Sequence, residues 1–207
     1  MVDFDYKKSW LLENEAVALH PLQTSHLSGL GDIANDPVIW NYLLEDGQTP
    51  EALEAYVRQA LDERKNEVSY PFTVIDKATG KVAGTTRLYE INLTLGTLKV
   101  GHTWYGADFR GSGVNANVKY LLFEFAFESL HVARIGFGVH QENRRSMKAL
   151  QKVGTSREGL LRSYLPNTVN VSDPRRYDIV LFSLLREEWE DGVQNSLHRT
   201  ISKRLHA

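Results

Sequence analysis

The sequence predicts an α/β fold in which helices flank a mixed central sheet. Segments with the two-residue alternation of strands are interspersed with segments that show the 3.6-residue period of helices. Two of the strand-like segments, residues 98–105 and 134–140, are separated by a helical stretch, and helical crossovers of this kind join parallel neighbours. A glycine-rich turn follows the first of them, at the end of the strand where open α/β sheets usually bind ligands.

The amino-terminal half is predicted to contain a strand, two helices and a hairpin. Residues 17–22 form the strand, and a first helix follows it. Thr49 and Pro50 mark the start of the second helix, as a capping residue and a proline at the first helical position. The polar turn 76–81 then joins two strands as a hairpin, because it lies between two runs of strand-like residues.

The carboxy-terminal half is predicted to continue with a helix after the glycine turn, a strand, a second helix, two strands and a closing helix. Asn143 caps the second of these helices. The two strands lie around residues 158–164 and 177–185. The closing helix is indicated by apolar residues that recur every four positions: Leu185, Trp189, Val193, Leu197, Ile201 and Leu205.

Composition limits the classes of protein to which the chain can belong. A length of 207 residues, with 42% hydrophobic and 24% charged residues, is typical of one globular domain, which we expect to span residues 1–207. The net charge of -2 gives no electrostatic reason to bind nucleic acid or an anionic membrane. The chain has no cysteine, which excludes disulfides, thiolate metal sites and a cysteine nucleophile, and we expect no metal.

The distribution of charge along the chain predicts a cytoplasmic protein without a membrane span. The first ten residues include four charged side chains and lack the apolar core of a signal peptide. The most apolar stretch, residues 120–130, contains Glu124 and Glu128 and is shorter than the roughly 20 residues needed to cross a bilayer.

The glycine turn is the first candidate for a binding site. It lies between a strand and a helix whose first turn offers unpaired backbone N–H groups and the positive end of the helix dipole, which together favour a diphosphate. A structural strand-to-helix turn is the alternative. The P-loop and dinucleotide patterns fit less well, since no Gly-Lys-Ser/Thr follows and the third Rossmann glycine is missing. The candidate residues are Arg110, Gly111, Ser112, Gly113, Val114 and Asn115.

Further motifs occur in a fixed order around this turn. They are His102-Thr103-Trp104-Tyr105 before it and, after it, Asn143-x-x-Ser146, Gly154 and Glu158-Gly159-x-x-Arg162. Together they resemble the GNAT superfamily of acetyltransferases, in particular the RimJ/RimL-type branch that acetylates the N-termini of ribosomal proteins. The resemblance covers most of the chain. Arg110 and Gly113 match the family pattern Arg/Gln-x-x-Gly-x-Gly/Ala, and Asn115 departs from it.

The resemblance implies a GNAT fold, in which the strands 98–105 and 134–140 splay apart and leave a slot for the pantetheine arm of acetyl-coenzyme A. Thr103 and Trp104 then belong to the wall of the slot. A bulge near Trp104 and Tyr105 is expected to aim a backbone N–H at the thioester carbonyl. The alternative for the side chains of Trp104 and Tyr105 is core packing.

The resemblance also suggests catalytic residues, each with a structural alternative. Asn143 is expected to contact the cofactor arm, to cap its helix, or both. Ser146 is a candidate donor to the departing thiolate, because no tyrosine lies within residues 143–154, or it is an ordinary first-turn serine. Glu158 and His140 are candidate proton acceptors for the amine, and His102 is a weaker one; the alternatives are a surface glutamate and structural histidines.

The residues that select the acceptor are expected in the first two helices and in the loop 166–174. Trp40 and Tyr42 are candidates for an acceptor pocket, although aromatic residues near a helix end are more often core. Glu158 is a candidate for holding the ammonium group.

The function expected from these residues is transfer of the acetyl group of acetyl-CoA to a primary amine by direct attack, without an acyl-enzyme. The acceptor is a small-molecule amine or a protein N-terminus, and a homodimer through the closing helix is possible. One alternative is a GNAT-like protein that binds acyl-CoA without turnover. Another is a nucleotide-binding domain that uses the same glycine turn.

Overall fold

The computed structural model describes residues 4–166 and 175–205. Its eight strands are β1 (Leu12–Glu13), β2 (Val17–Pro21), β3 (Ser69–Asp76), β4 (Lys81–Asn92), β5 (Thr97–Tyr105), β6 (Arg134–His140), β7 (Ser156–Pro166) and β8 (Arg176–Leu185). Its α-helices are α1 (Leu27–Ala34), α2 (Pro50–Lys65), α3 (Val114–Glu124), α4 (Arg144–Lys152), the short α5 (Arg186–Glu188) and α6 (Gln194–Leu205).

The strands form one mixed sheet in the order β1-β2-β3-β4-β5-β6-β8-β7. Neighbouring strands are antiparallel except β5 and β6, which are parallel and joined through α3. This topology confirms the mixed α/β class and the parallel pair predicted from the helical crossover. Only the two-residue strand β1 is an addition to the predicted order of elements.

The parallel strands β5 and β6 stay together for three residue pairs only. Thr97 pairs with Arg134, Leu98 with Ile135, and Lys99 with Gly136. Beyond these pairs no ladder joins the two strands within the described residues, and an open cleft separates their carboxyl ends. The splay that the family resemblance implied is therefore confirmed.

Two apolar cores lie on opposite faces of the sheet. The α3 face is covered by α3, α4 and the closing helical segment, and its core includes Phe123, Phe137 and Trp189. The α1–α2 face is covered by the first two helices, and its core includes Trp40, Tyr56 and Trp104. Each fully buried large apolar side chain contributes roughly 1.5–3 kcal/mol, so both faces hold the sheet rigid on either side of the cleft.

The closing helical segment differs from the expectation of one continuous helix. Gly192, with φ 144°, interrupts it between a π-helical turn and α6. Its apolar stripe packs within the chain, since Trp189, Leu197 and Ile201 are all buried. Within the described residues this stripe is therefore not available to a partner subunit, and the reason for expecting a dimer through it no longer holds.

In the described part of the chain, no helix combines the length and the apolar content needed to span a bilayer.

Candidate active site

The candidate active site is the cleft between the splayed ends of β5 and β6. It encloses about 260 Å³, close to the lower end of the range for small-molecule sites. Its walls come from both faces of the sheet, so a molecule in the cleft is reached from the α3 face and from the α1–α2 face. The charged side chains among its described lining residues are all basic: Arg110, Lys119 and Arg145.

The glycine turn lies at the mouth of this cleft and leads into α3. Gly113 is the N-cap of α3 with φ 104°, a left-handed conformation that glycine adopts without strain. Gly111, with φ 81°, lines the cleft, and a β-carbon built on it meets no atom within 4 Å. Gly111 therefore leaves open space beside the start of α3, where the positive end of the helix dipole suits a phosphate.

Arg110 is held in place beside the turn. Its Nε donates to the backbone oxygen of Tyr105 at 3.0 Å, and its Nη1 forms an ion pair with Asp36 at 2.7 Å. The Val38 backbone N–H, followed by Arg110, holds the pKa of Asp36 below its usual range, so Asp36 is ionised and offsets part of the positive charge. Nη2 of Arg110 is buried and has no hydrogen-bond partner among the described residues. An anion in the cleft would satisfy it.

The other residues of the turn contribute in different ways. The Asn115 side chain lines the cleft, and its Oδ1 lies 3.4 Å from the Tyr105 hydroxyl, which donates to it. Ser112 points elsewhere, since its hydroxyl donates to the Phe109 oxygen at 2.8 Å. The side chain of Val114 is buried in the core of the α3 face. Neither Ser112 nor Val114 contributes a side chain to the cleft, and the backbone N–H of Val114 donates to the Ser112 hydroxyl at 3.4 Å.

A bulge in β5 shapes the wall of the cleft, two residues earlier than expected. Thr85 pairs with Trp104 and Arg87 with Gly101, so Thr86 lies opposite both His102 and Thr103. His102 has φ 48°. Because the bulge inserts one residue, it reverses the alternation of side chains along the rest of β5.

The bulge sends successive side chains to different faces of the sheet. The Thr103 hydroxyl contacts Thr86 at 2.8 Å and accepts from Lys119 of α3. Trp104 is buried on the opposite, α1–α2 face, where its Nε1 donates to the Tyr56 hydroxyl at 3.3 Å. Both residues border the cleft, and the Trp104 side chain packs in the core, as the structural alternative predicted.

The start of α4 forms the opposite wall. Asn143 caps this helix, because its Oδ1 accepts from the backbone N–H of Ser146 at 3.0 Å. Both residues also line the cleft, as the predictions for them require. Asn143 therefore caps α4 and also faces the cleft, so its two predicted roles are compatible.

Lys119 is a cleft residue that the sequence analysis missed. Its side chain is only 4% exposed, and its Nζ lies 3.3 Å from the Thr103 hydroxyl. Burial lowers the pKa of Lys119 to about 7, so a buried amine that titrates near neutrality faces the cleft. The sequence spacing could have indicated this position, because Lys119 lies one helical turn beyond Asn115 on the same side of α3.

His140 lines the cleft between two aromatic rings, those of Tyr42 at 5.1 Å and Tyr177 at 4.5 Å. Its Nδ1 accepts a hydrogen bond from the backbone N–H of Glu142 at 3.2 Å. Burial lowers the pKa of His140, and Glu142 opposes this in part. With Nδ1 occupied as an acceptor, the neutral ring carries its proton on Nε2 and presents a donor to the cleft. Tyr42 remains beside it as a lining residue.

Two predicted site residues lie away from the cleft. Glu158 forms a two-point ion pair with Arg134, with Nη1–Oε1 at 2.6 Å, and accepts from Ser183 at 2.8 Å. This pair lies at the first residue of β6, roughly 20 Å along the strand from His140 at its end. Arg134 holds the pKa of Glu158 below its usual value, so the carboxylate is already committed to a structural pair.

Trp40 is the second of these residues. It is 4% exposed, packs 5.3 Å from the Trp104 ring, and donates its Nε1 to the Ala34 oxygen at 2.8 Å. Trp40 is thus a core residue of the α1–α2 face. Its large ring is stabilised by burial, and its N–H keeps a hydrogen-bond partner there. In the loop that was expected to select the acceptor, residues 167–174 lie outside the described residues.

The sequence analysis also missed Glu45. Its Oε1 lies 3.2 Å from Nδ1 of His102, which lines the cleft on the α1–α2 face. Glu45 stands in a short polar connection before α2, and nothing in its sequence neighbourhood marks it as part of a site.

The comparisons with known proteins agree with this geometry. The family model for the acetyltransferase (GNAT) domain matches residues 17–156. The uncharacterized N-acetyltransferase p20 of Bacillus licheniformis is 26% identical over 183 residues, which are 86% of this chain and 97% of that protein. A GCN5-related N-acetyltransferase from Brucella melitensis has a TM-score of 0.84 at 25% identity, covering 95% of this chain and 87% of the other.

A more distant structure shares the fold. RimJ of Mycobacterium smegmatis, solved in complex with CoA-disulfide, has a TM-score of 0.74 at 20% identity and covers 93% of each chain. The present chain belongs to the GNAT acetyltransferase family. Its activity is acetyl transfer from acetyl-CoA to an amine, as the sequence analysis predicted.

Proposed function

We propose that the cleft between β5 and β6 is where acetyl-CoA and an amine meet, and that the amine attacks the thioester directly. The observation that carries this proposal is the cleft itself. It opens to both faces of the sheet, and the glycine turn of α3 forms one end of its mouth. Bound there, acetyl-CoA supplies an acetyl carbon that is activated as a thioester.

The donor side of the cleft is its α3 face. The positive end of α3 and the unpartnered Nη2 of Arg110 suit the diphosphate, and the side chains of Arg110 and Arg145 provide positive charge. The unpaired edges of β5 and β6 suit the two amides of a pantetheine arm, which pairs with a strand edge as a peptide does. Asn143 and Ser146 stand opposite this edge, where Ser146 is placed to donate to the departing sulfur.

The acceptor is a primary amine, and it approaches from the α1–α2 face. Tyr42, which is exposed beside His140, lies at this entrance. A small-molecule amine and a protein N-terminus both remain candidates. Holding donor and acceptor together supplies much of the rate, and hydrogen-bond donors aimed at the carbonyl oxygen supply more.

Two measurements test the proposal. Thiol release from acetyl-CoA is followed with a panel of short peptides with free N-termini, amino acids, polyamines and aminoglycosides. Direct attack predicts intersecting initial-rate lines when both substrates are varied, and parallel lines would indicate an acyl-enzyme and contradict it. Binding of acetyl-CoA without thiol release from any amine would favour the acyl-CoA-binding alternative.

The glycine turn is tested with a matched pair of variants. Gly111→Ala and Gly80→Ala each place a β-carbon at a positive φ, 81° and 68°, where it meets no atom within 4 Å. Both should cost about 1 kcal/mol of stability. Only Gly111→Ala should weaken acetyl-CoA binding, by tenfold or more in calorimetry, because only Gly111 lines the cleft. Equal affinity in the two variants would contradict the assignment of the turn.

A further inference from the structure

The buried pair formed by Glu45 and His102 is the feature that the site description leaves without a role. Nδ1 of His102 lies 3.2 Å from Oε1 of Glu45, within ion-pair distance, and the two side chains are 25% and 15% exposed. Neither Nδ1 of His102 nor Oε2 of Glu45 has a hydrogen-bond partner among the described residues. A buried carboxylate oxygen and a buried ring nitrogen without hydrogen bonds are costly to keep, and this combination calls for a function.

From this geometry we infer that Glu45 and His102 form a catalytic pair that takes the proton from the attacking amine. The inference rests on the proposed function of the cleft. Oε1 of Glu45 faces Nδ1 of the imidazole at ion-pair distance, which leaves the lone pair of Nε2 for the ammonium group of the acceptor. His102 is the catalytic residue, and Glu45 is the positioning residue.

The position of His102 follows from the bulge in β5. Gly101 and His102 stand side by side on the α1–α2 face, because the inserted residue interrupts the alternation. The glycine at 101 leaves room for the Tyr89 ring, since a β-carbon there would lie 2.8 Å from Tyr89 Cε1. Tyr89 in turn contacts the His102 ring edge-on, with centroids 5.6 Å apart. Glu45 and Tyr89 thus fix the imidazole on the α1–α2 side of the cleft.

The charges around the pair keep Glu45 ionised. Burial alone would raise the pKa of Glu45. The interactions with His102 and Arg87 outweigh the effect of burial, so the pKa of Glu45 is lowered. The titratable groups that face His102 are Glu45 from the connection before α2, Glu63 of α2, and Tyr89 of β4. Arg87 of β4 forms an ion pair with Glu63 at 3.0 Å and compensates the second carboxylate. Glu45 is thus left as the uncompensated carboxylate beside His102.

His140, the histidine favoured by the sequence, has the opposite arrangement. Its Nδ1 already accepts from the Glu142 N–H, so Nε2 carries the hydrogen and has no lone pair to offer. Of these two cleft histidines, His102 is the one with a carboxylate behind the ring, the arrangement in which a base is oriented by a third group.

The proton balance of the step is complete. The ammonium group of the acceptor gives one proton to Nε2 of His102, and the neutral nitrogen forms the new C–N bond as the C–S bond breaks. The second proton that the nitrogen loses leaves on the sulfur as the thiol of CoA. The imidazolium then releases its proton to water.

One experiment tests the arrangement of Glu45 and His102 in the absence of substrate. The ring nitrogens of His102 are observed by ¹⁵N NMR in the wild type and in Glu45→Gln, with the resonance assigned from the variant His102→Asn. Asparagine is chosen because it tolerates the positive φ of this position. We expect a neutral ring protonated on Nδ1 in the wild type and a loss of this preference in Glu45→Gln. A ring protonated on Nε2 in the wild type would overturn the inference.

A second experiment uses the most active amine of the panel described above. His102→Asn should lower kcat/KM at pH 7 by roughly 10²- to 10³-fold and remove the acid limb of its pH profile, while the Kd for acetyl-CoA is unchanged. Glu45→Gln should lower kcat/KM to a smaller extent, because the imidazole stays at the cleft but loses the carboxylate that orients it. The matched control His198→Gln, on an exposed position of α6, should behave as the wild type.

The possible failures are distinguishable. An active wild type together with a fully active His102→Asn variant would overturn the pair and leave the proposed function standing. A wild type that neither binds acetyl-CoA nor releases thiol would overturn the proposed function, and the NMR result would still decide how Glu45 and His102 are arranged.

Discussion

Lys119 is a basic residue of the cleft that is almost completely buried. Its ammonium group has one described hydrogen-bond partner, Thr103, and burial lowers the pKa of the lysine from 10.5 to about 7. Above about pH 7 the folded protein holds Lys119 neutral, whereas the unfolded chain keeps it protonated up to about pH 10.5. The unfolded state therefore binds more protons between these values, and this group makes stability rise with pH there.

The variant Lys119→Met should remove this penalty. Below pH 7, where the buried charge is present in the wild type, the variant should be more stable by a few kcal/mol, on the order of the pKa shift converted to free energy. The advantage should shrink as pH rises through 7 toward 10. Melting temperatures of both proteins at pH 6 and pH 9.5 give the comparison. A difference that does not change with pH would show that Lys119 keeps its ordinary pKa.

Ser146 tests the donor side of the cleft. Ser146→Ala should lower kcat by roughly 10- to 100-fold, the value of a hydrogen bond to a developing charge, and leave the Kd for acetyl-CoA nearly unchanged. Ser156→Ala is the control, since Ser156 lies on β7, outside the cleft lining, where its hydroxyl donates to Glu188 of α5. Full activity of Ser146→Ala would remove this serine from the mechanism.

At the scale of elements, α4 combines a structural cap with a wall of the cleft. Asn143 accepts from the Ser146 N–H at 3.0 Å, and Thr49 does the same for Ala52 of α2 at 3.2 Å. Asn143→Ala and Thr49→Ala should each cost about 1 kcal/mol and lower the melting temperature by roughly 2–4 °C.

The affinity for acetyl-CoA distinguishes the two variants, Asn143→Ala and Thr49→Ala. Only Asn143→Ala should weaken the affinity for acetyl-CoA, because Thr49 lies outside the cleft lining. Isothermal titration of the two variants measures this. If both kept the wild-type affinity, Asn143 would be a helix cap and nothing more.

The elements themselves were largely predictable. Thr49-Pro50 predicted the start of α2, and the turn 76–81 predicted the β3–β4 hairpin, because local turn and cap chemistry decides such boundaries. The bulge of β5 was placed two residues late. Its position depends on the register against β4, which no local pattern of β5 reveals.

At the scale of the whole molecule, ligand binding should stabilise the native state. Acetyl-CoA at a hundredfold excess over its Kd should add about 2.7 kcal/mol, which for a chain of this size raises the melting temperature by roughly 5–10 °C. ATP and NAD are the comparison ligands in the same thermal-shift measurement. Stabilisation by these nucleotides and none by acetyl-CoA would favour a nucleotide-binding domain and contradict the site described here.

The sequence by itself determined the order of the elements, the parallel crossover, the glycine turn and the family, because each of these is encoded by residues that are close together in the chain. It also predicted roles for Asn143 and Ser146, both of which line the cleft.

Only the tertiary structure decided which titratable side chains meet. Glu158 pairs with Arg134 at the far end of β6, Trp40 is core, and Glu45 reaches His102 across 57 positions of sequence. Lys119 meets Thr103 because α3 crosses the splayed strands. Such contacts are set by strand register, a single bulge and the packing of helices on the sheet, so their partners cannot be inferred from spacing along the chain.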